Sequence, residues 1–80
     1  MKRPRDLSAD ELVRRLKPFG YRVTRQLGSH LRLTTEQGGQ HHLTIPAHAN
    51  LTIGKVNAVI WELVRHFGLE RRELVARLFG

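Results

Sequence analysis

The residue best suited to chemistry in this sequence is His30, which lies in the stretch Gly28–Thr35. Its first two residues, Gly-Ser, form a turn pair, and the residues that follow alternate strictly between polar and apolar types. On a strand this period places the two leucines on one face and His30, Arg32 and Thr34 on the other. An imidazole that exchanges protons near neutral pH then lies beside a permanent positive charge, which suits phosphate chemistry or phosphate binding.

RNA carries its own nucleophile, the 2′-hydroxyl, so it can be cleaved without a metal ion. A protein has to supply a base for the hydroxyl proton, an acid for the leaving 5′-oxygen and positive charge for the phosphorane. His30 is the leading candidate for proton transfer, because the turn before it leaves it accessible and Arg32 points the same way. An ordinary polar role on the surface is the alternative for this histidine.

The other four histidines have weaker claims. His41 and His42 are adjacent, so on a strand they point to opposite faces and cannot chelate one metal ion together. His42 joins His30 as a second acid-base group if the strands align, and is otherwise an ordinary surface residue. We expect His48 in a loop, where it can orient a phosphate or cap the next helix, and His66 at a helix C-terminus. With no cysteine and no clustered carboxylates, we predict no metal site and no cofactor.

Length and charge restrict the class of protein. The chain has 80 residues and a formal net charge of +7, from 14 Lys and Arg against 7 Asp and Glu. We expect a basic lead-in over residues 1–7 and one small domain over residues 8–80. The charge favours a polyanionic partner, nucleic acid first and an acidic protein second; biased composition or a heat-adapted host is the alternative cause. Without cysteines or a long apolar run, we expect a cytoplasmic protein with no disulfide and no membrane span.

The first helix and the strands have clear local signals. Ser8 and Glu11 have capping-box spacing, which predicts a helix from about Ala9 that ends at Pro18. Three strands follow, over residues 21–27, after the Gly-Ser turn, and over 40–46, and the short turns between them predict an antiparallel meander. Arg25 interrupts the apolar side of the first strand, which predicts a bend or an edge position there.

Two amphipathic helices complete the chain. We predict one over Lys55–Phe67, opened by Gly54 and ended by Gly68, and a shorter one over Glu70–Phe79. Trp61 lies off the apolar stripe of its helix, so it packs against the last helix or stays exposed for a partner. The segment at Gly54 is not a phosphate-binding P-loop, since that motif needs an earlier glycine and a following hydroxyl residue that are absent here.

The predicted packing leaves one face of the sheet uncovered. Helices cover the apolar face, which gives an α+β fold with the element order helix, three strands, helix, helix. The opposite face then carries cations, imidazoles, hydroxyls and amides and no large apolar residue. Its expected members are Arg22, Thr24, Gln26, His30, Arg32, Thr34, Gln40, His42 and Thr44.

A turn, a proline, a histidine and a helix-opening glycine occur in a fixed order along the chain. They are Gly28-Ser29-His30, Pro46, His48 and Gly54, preceded by a helix that ends in Phe19-Gly20-Tyr21. This combination resembles the HicA-like toxin family, also called YcfA-type proteins, from Ser8 to Phe79. One departure is Lys55, where the family usually has threonine; it adds a cation at a helix N-terminus. The basic segment before Ser8 is a second departure.

The resemblance implies both a fold and a function. The fold would be like that of a double-stranded-RNA-binding domain, α-β-β-β-α with a short extra C-terminal helix. The function would be that of a type II toxin-antitoxin toxin, an endoribonuclease that cleaves mRNA without a metal and is silenced by an acidic antitoxin of the HicB type. The family's catalytic histidine corresponds to His30. The substrate-binding residues that we predict with it are Arg22, Ser29, Arg32, His42 and Lys55.

Two other hypotheses remain from the sequence. The first is a non-catalytic RNA- or DNA-binding module that uses the same basic sheet face, which predicts salt-dependent binding without cleavage. The second is a small interaction protein whose charge serves only an acidic protein partner.

Overall fold

The structure, a computed structural model, describes residues 7–47 and 50–80. It confirms the predicted α+β fold and the order of its elements. The helices are α1 (Ala9–Leu16), α2 (Ile53–Phe67) and α3 (Arg71–Phe79), with a short 3₁₀ turn at Lys17–Phe19 after α1. The strands are β1 (Arg22–Leu27), β2 (His30–Thr35) and β3 (His41–Pro46). Residues 1–6, most of the predicted lead-in, and His48 lie outside the described residues.

The helix ends follow from hydroxyl caps and glycines. Ser8 Oγ accepts a hydrogen bond from the Glu11 amide at 3.2 Å, so α1 begins at Ala9 as predicted. Thr52 Oγ1 accepts from the Lys55 amide at 3.1 Å, so α2 begins at Ile53, earlier than expected. The glycine that we took as the opening residue therefore lies inside the first turn, because a threonine hydroxyl is the better cap.

One apolar core joins the helices to one face of the sheet. The strand order is β1-β2-β3, antiparallel throughout, and β2 is the central strand. Leu7, in the predicted lead-in, is buried as well, and its carbonyl accepts from the Leu51 amide at 2.8 Å. No helix in residues 7–47 and 50–80 is long and apolar enough to cross a membrane. Among the core residues are Leu12, Leu16, Leu33, Leu43, Ile45, Val59, Ile60, Leu63, Leu74 and Leu78.

The predicted bend in β1 is a β-bulge at Thr24. Val23 pairs with Leu33, but the next pair in the ladder joins Arg25 to Arg32, so Thr24 is an extra residue without a partner. Because side chains alternate along a strand, one extra residue moves every later side chain of β1 to the other face.

The bulge corrects the predicted membership of the uncovered face. Gln26 pairs with Leu31 and so belongs to the helix-covered side, whereas Arg25 and Leu27 belong to the open side. Leu27 is 54% exposed, so the expectation of no large apolar residue on this face was wrong. Gln40 lies outside β3. We call the uncovered surface the open face: Arg22, Thr24, Arg25 and Leu27 of β1, His30, Arg32 and Thr34 of β2, and His42, Thr44 and Pro46 of β3.

Gly20 should be the least replaceable glycine of the fold. Its φ is +84°, and an added Cβ would lie 2.6 Å from Thr35 Oγ1, which itself donates to the Phe19 carbonyl. Gly68 has a similar φ of +68° but open space around it. We expect Gly68→Ala to lose about 1–2 kcal/mol of unfolding free energy from the left-handed backbone alone. Gly20→Ala should lose about 1–3 kcal/mol more, as overpacking does.

Urea denaturation of both variants measures this difference. Equal losses at the two positions would show that the contact with Thr35 can relax at no cost.

Candidate nucleic-acid interface

The backbone of His30 is paired on both sides at one end of the sheet. It begins the central strand, with Leu27 opposite on β1 and Pro46 opposite on β3. The Ser29 carbonyl accepts from the Ala47 amide at 2.7 Å, which extends the pairing of β2 and β3 past His30. The imidazole is exposed and has no side-chain hydrogen bond or ion pair within the described part of the chain. Its backbone is therefore fixed while its ring is free to meet a ligand.

Two arginines on the face of this histidine are cross-strand partners of each other. Arg32 follows His30 by two residues on the same face, and Arg25 is the cross-strand partner of Arg32. Like charges directly opposite each other destabilise a sheet, and β1, β2 and β3 contain no Asp or Glu that could neutralise them. An anion bound between the two arginines would remove this repulsion. Arg25 is not among the predicted site residues, although its place in an apolar position was the signal of the bulge.

A chain of hydrogen bonds crosses all three strands on the same face. Thr24 Oγ1 lies 3.3 Å from the Arg32 carbonyl and 2.9 Å from Thr34 Oγ1. Thr34 Oγ1 lies 2.9 Å from Nδ1 of His42. The extra residue of the bulge thus connects β1 to the exposed imidazole of β3, and Thr34, 4% exposed, lies between them.

The predicted site residues fall into two groups at opposite ends of β2. Thr34 pairs with Arg22 and with His42, and it lies four residues from His30, which is about 13 Å along a strand. His42 therefore cannot act with His30 on one phosphate. Arg22 is likewise at the far end.

Ser29 and Lys55 lie at the His30 end. Ser29 is an exposed turn residue directly before His30. Lys55 is exposed and lines a groove of about 130 Å³ together with Pro46, the cross-strand partner of His30. Both residues are therefore at the end of the sheet where the candidate phosphate site lies.

His41 points to the opposite side of the sheet, as predicted, and belongs to a second polar cluster. Its Nδ1 lies 2.7 Å from the hydroxyl of Tyr21, and its Nε2 lies 3.5 Å from a carboxylate oxygen of Glu62 on α2. The ring also stacks on His66 at 4.5 Å between centroids, and His66 Nε2 donates to the Gln37 carbonyl at 2.9 Å. These contacts fasten the β2–β3 turn and the start of β3 to α2. We call this group the His41 cluster.

The His41 cluster shifts the pKa values of Tyr21 and His41 toward their uncharged forms. Burial, assisted by the carboxylate of Glu62, raises the pKa of Tyr21 to about 12. Burial lowers the pKa of His41 below the usual 6.5, and the nearby His66 acts in the same direction. Glu62 opposes this shift without cancelling it. A neutral His41 can accept a hydrogen bond from the Tyr21 hydroxyl at Nδ1 and donate one to Glu62 from Nε2. The cluster therefore has a structural role, because it connects the sheet to α2.

Trp61 combines the two predicted outcomes. The Arg71 guanidinium, at the start of α3, lies 5.4 Å from the centroid of its ring, so Trp61 does contact the last helix. The side chain is nevertheless 45% exposed.

A larger groove of about 440 Å³ lies between the 3₁₀ turn and α3. It is lined by Gln37, which follows β2, and so lies beyond the end of β2 opposite to His30.

The fold and the open face define a small basic domain that presents cations and an accessible imidazole on a three-stranded sheet. The family model described as HicA toxin of bacterial toxin-antitoxin matches residues 9–64, and the chain belongs to this family of toxins. Membership implies a cognate antitoxin as partner. The comparisons with curated proteins and with solved structures found no match.

The His41 cluster should make the stability of the protein fall in mild acid. Because the folded state lowers the pKa of His41, the unfolded chain binds the proton more readily, and stability is lost as the pH falls from 6.5 through the lower folded value. We expect His41→Gln to flatten this part of the curve, measured as urea midpoint against pH. Thr44→Val, which changes an exposed residue of the same strand and removes no titratable group, should keep the wild-type slope. An unchanged slope in His41→Gln would show that the buried imidazole is not its cause.

The opposed arginines should make the open face a source of instability in low salt. We expect Arg25→Gln to raise the free energy of unfolding by about 0.2–1 kcal/mol, the scale of a cross-strand pair, and the gain to disappear in high salt as the charges are screened. Arg22→Gln is the matched control, since Arg22 is on the same strand and face but opposite Thr34. Equal effects of the two substitutions at every salt concentration would contradict the opposition of Arg25 and Arg32.

Proposed function

We propose that this toxin is a metal-independent endoribonuclease that cleaves mRNA on the open face, with His30 as its acid-base residue. The observation that carries the proposal is the placement of an exposed imidazole on the central strand beside two opposed guanidinium groups. A flat, cationic face without acidic residues accepts a phosphodiester backbone, which needs no deep pocket. Family membership supports the toxin role.

The reaction follows from the chemistry of RNA and from the groups at this end of the sheet. His30 takes the proton of the 2′-hydroxyl while the 2′-oxygen attacks the adjacent phosphorus. The bond to the 5′-oxygen then breaks, and the protonated imidazole returns a proton to that leaving oxygen, so that a 2′,3′-cyclic phosphate remains. Arg32 and Arg25 bind the phosphate and stabilise the additional negative charge of the phosphorane.

The other predicted substrate contacts lie on both sides of this phosphate. Ser29 and Lys55 lie at the same end of the sheet as His30, so they would meet nucleotides next to the cleaved bond. Arg22 and His42 lie about 13 Å further along β2, so they would contact the strand several nucleotides away. We assign His30 both proton transfers, because His42 is too far from the same phosphate to share them.

The proposed protein partner is an acidic antitoxin of the HicB type that covers the open face. Carboxylates placed between Arg25 and Arg32 would relieve the same repulsion as a phosphate does. RNA and antitoxin would then compete for one surface.

The test is incubation of RNA with wild-type protein and with His30→Ala in the presence of a chelator. We expect the wild type to produce fragments that end in cyclic phosphate, and His30→Ala to be about 10²- to 10⁴-fold slower. Circular dichroism should be unchanged, since His30 is exposed and has no side-chain partner within the described residues.

His30→Gln separates cleavage from binding. Glutamine forms hydrogen bonds but does not transfer protons, so the proposal predicts RNA binding without cleavage in this variant. A wild-type protein that binds RNA in a salt-dependent manner and never cuts it would support the binding-module hypothesis instead. Full activity of His30→Gln would remove this residue from the mechanism.

A further inference from the structure

One tautomer of His42 makes all three contacts of the hydrogen-bond chain on the open face hydrogen bonds at once. In that arrangement the Arg32 carbonyl, which can only accept, takes the single proton of the Thr24 hydroxyl. The short contact between the two threonines must then be donated by Thr34, whose one proton points to Thr24. Thr34 Oγ1 therefore accepts from His42, and Nδ1 of His42 is the donor.

The consequence lies on the other side of the ring. When Nδ1 of a neutral imidazole carries the proton, Nε2 has only a lone pair and can only accept. His42 is exposed, and none of the described residues forms a hydrogen bond with its Nε2. The open face thus contains one fixed hydrogen-bond acceptor on a surface otherwise dominated by donors.

A phosphate oxygen has no proton to donate, so it is the wrong ligand for this nitrogen in the neutral ring. The donors of a nucleic acid are the amino and imino groups of the bases and the 2′-hydroxyl of ribose. Arg22 lies on the same side of the sheet, opposite Thr34, and would hold the backbone of the nucleotide whose donor reaches His42.

We propose that His42 is a specificity residue that accepts a hydrogen bond from an RNA nucleotide near the cleaved bond, and that Thr24 and Thr34 are the positioning residues that set its tautomer. The inference rests on the proposed binding of RNA to this face. The distance to His30 is about 13 Å. Stacked nucleotides advance by about 3.4 Å each, so the recognised nucleotide lies within about four positions of the cut and closer in an extended strand.

The first experiment measures the tautomer directly. Long-range ¹H–¹⁵N spectra of the imidazole rings should show His42 with a protonated Nδ1 and an unprotonated Nε2 at neutral pH. Thr34→Val keeps the shape of the side chain but removes the acceptor, so we expect the His42 signals to change to those of an exchanging imidazole. Thr44→Val is the matched control, because Thr44 is an exposed threonine of β3 on the same face that is not part of the chain. A wild-type ring protonated at Nε2 would overturn the proposal.

The second experiment tests recognition by binding. The probes are single-stranded oligoadenylate, oligocytidylate, oligoguanylate and oligouridylate RNAs of about ten nucleotides. They are compared with the same oligomers whose bases lack the exocyclic amino group or carry a methyl group on the imino nitrogen, and with the 2′-deoxy forms. Binding is measured in His30→Ala protein so that cleavage does not consume the probe. We expect loss of the recognised donor to weaken binding about 2- to 10-fold, the effect of one hydrogen bond. The amino-free and 2′-deoxy probes distinguish a base donor from a ribose donor.

Variants of the hydrogen-bond chain test whether His42 causes the discrimination between probes. Discrimination should disappear when Thr34→Val or His42→Ala is added to the His30→Ala protein, and it should persist with Thr44→Val. Equal affinity for every probe, or discrimination that survives His42→Ala, would overturn the role of His42. The proposed ribonuclease activity is judged separately, by cleavage with wild-type protein, so either proposal can fail alone.

Discussion

Arg25 and Arg32 face each other across β1 and β2 because Thr24 is an extra residue in the edge strand. Like charges at cross-strand positions destabilise a sheet, and the two strands contain no carboxylate that could neutralise them. The fold tolerates this because the helices on the other face supply the apolar burial that stabilises a domain of this size. An unbound open face is therefore in its less favourable state, and any polyanion that binds there lowers the free energy of the whole sheet.

The environment of each histidine decides whether it has a structural role or is available to a ligand. His41 of β3 stacks on His66 of α2, where burial lowers the pKa of His41 and its two ring nitrogens contact Tyr21 and Glu62. His30 and His42 lie on the open face with nitrogens available to a ligand. The first pair fastens the β2–β3 turn to α2, and the second pair is accessible to the RNA that we propose as substrate.

The central strand β2 fixes the spacing of the residues on the open face. As the central strand it is paired on both sides, so His30, Arg32 and Thr34 keep fixed spacings along one line. A substrate strand that follows this line would meet the proposed proton-transfer group, then the phosphate-binding arginines, then the acceptor on His42. An acidic antitoxin of the proposed kind would need to match the same line of charges, which gives toxin and antitoxin specificity through electrostatic complementarity.

The sequence by itself determined the helices and strands, the side of β2 on which His30 and Arg32 lie, and the opposite directions of His41 and His42. These features depend on local caps and on the period of apolar residues, which neighbouring residues specify. Only the tertiary structure decided the register of β1, the opposition of Arg25 and Arg32, the wide separation of His30 and His42, and the Thr24–Thr34–His42 chain. Each of these depends on which residues of different strands are paired, and a single unpaired residue at Thr24 exchanges the two faces of the strand beyond it.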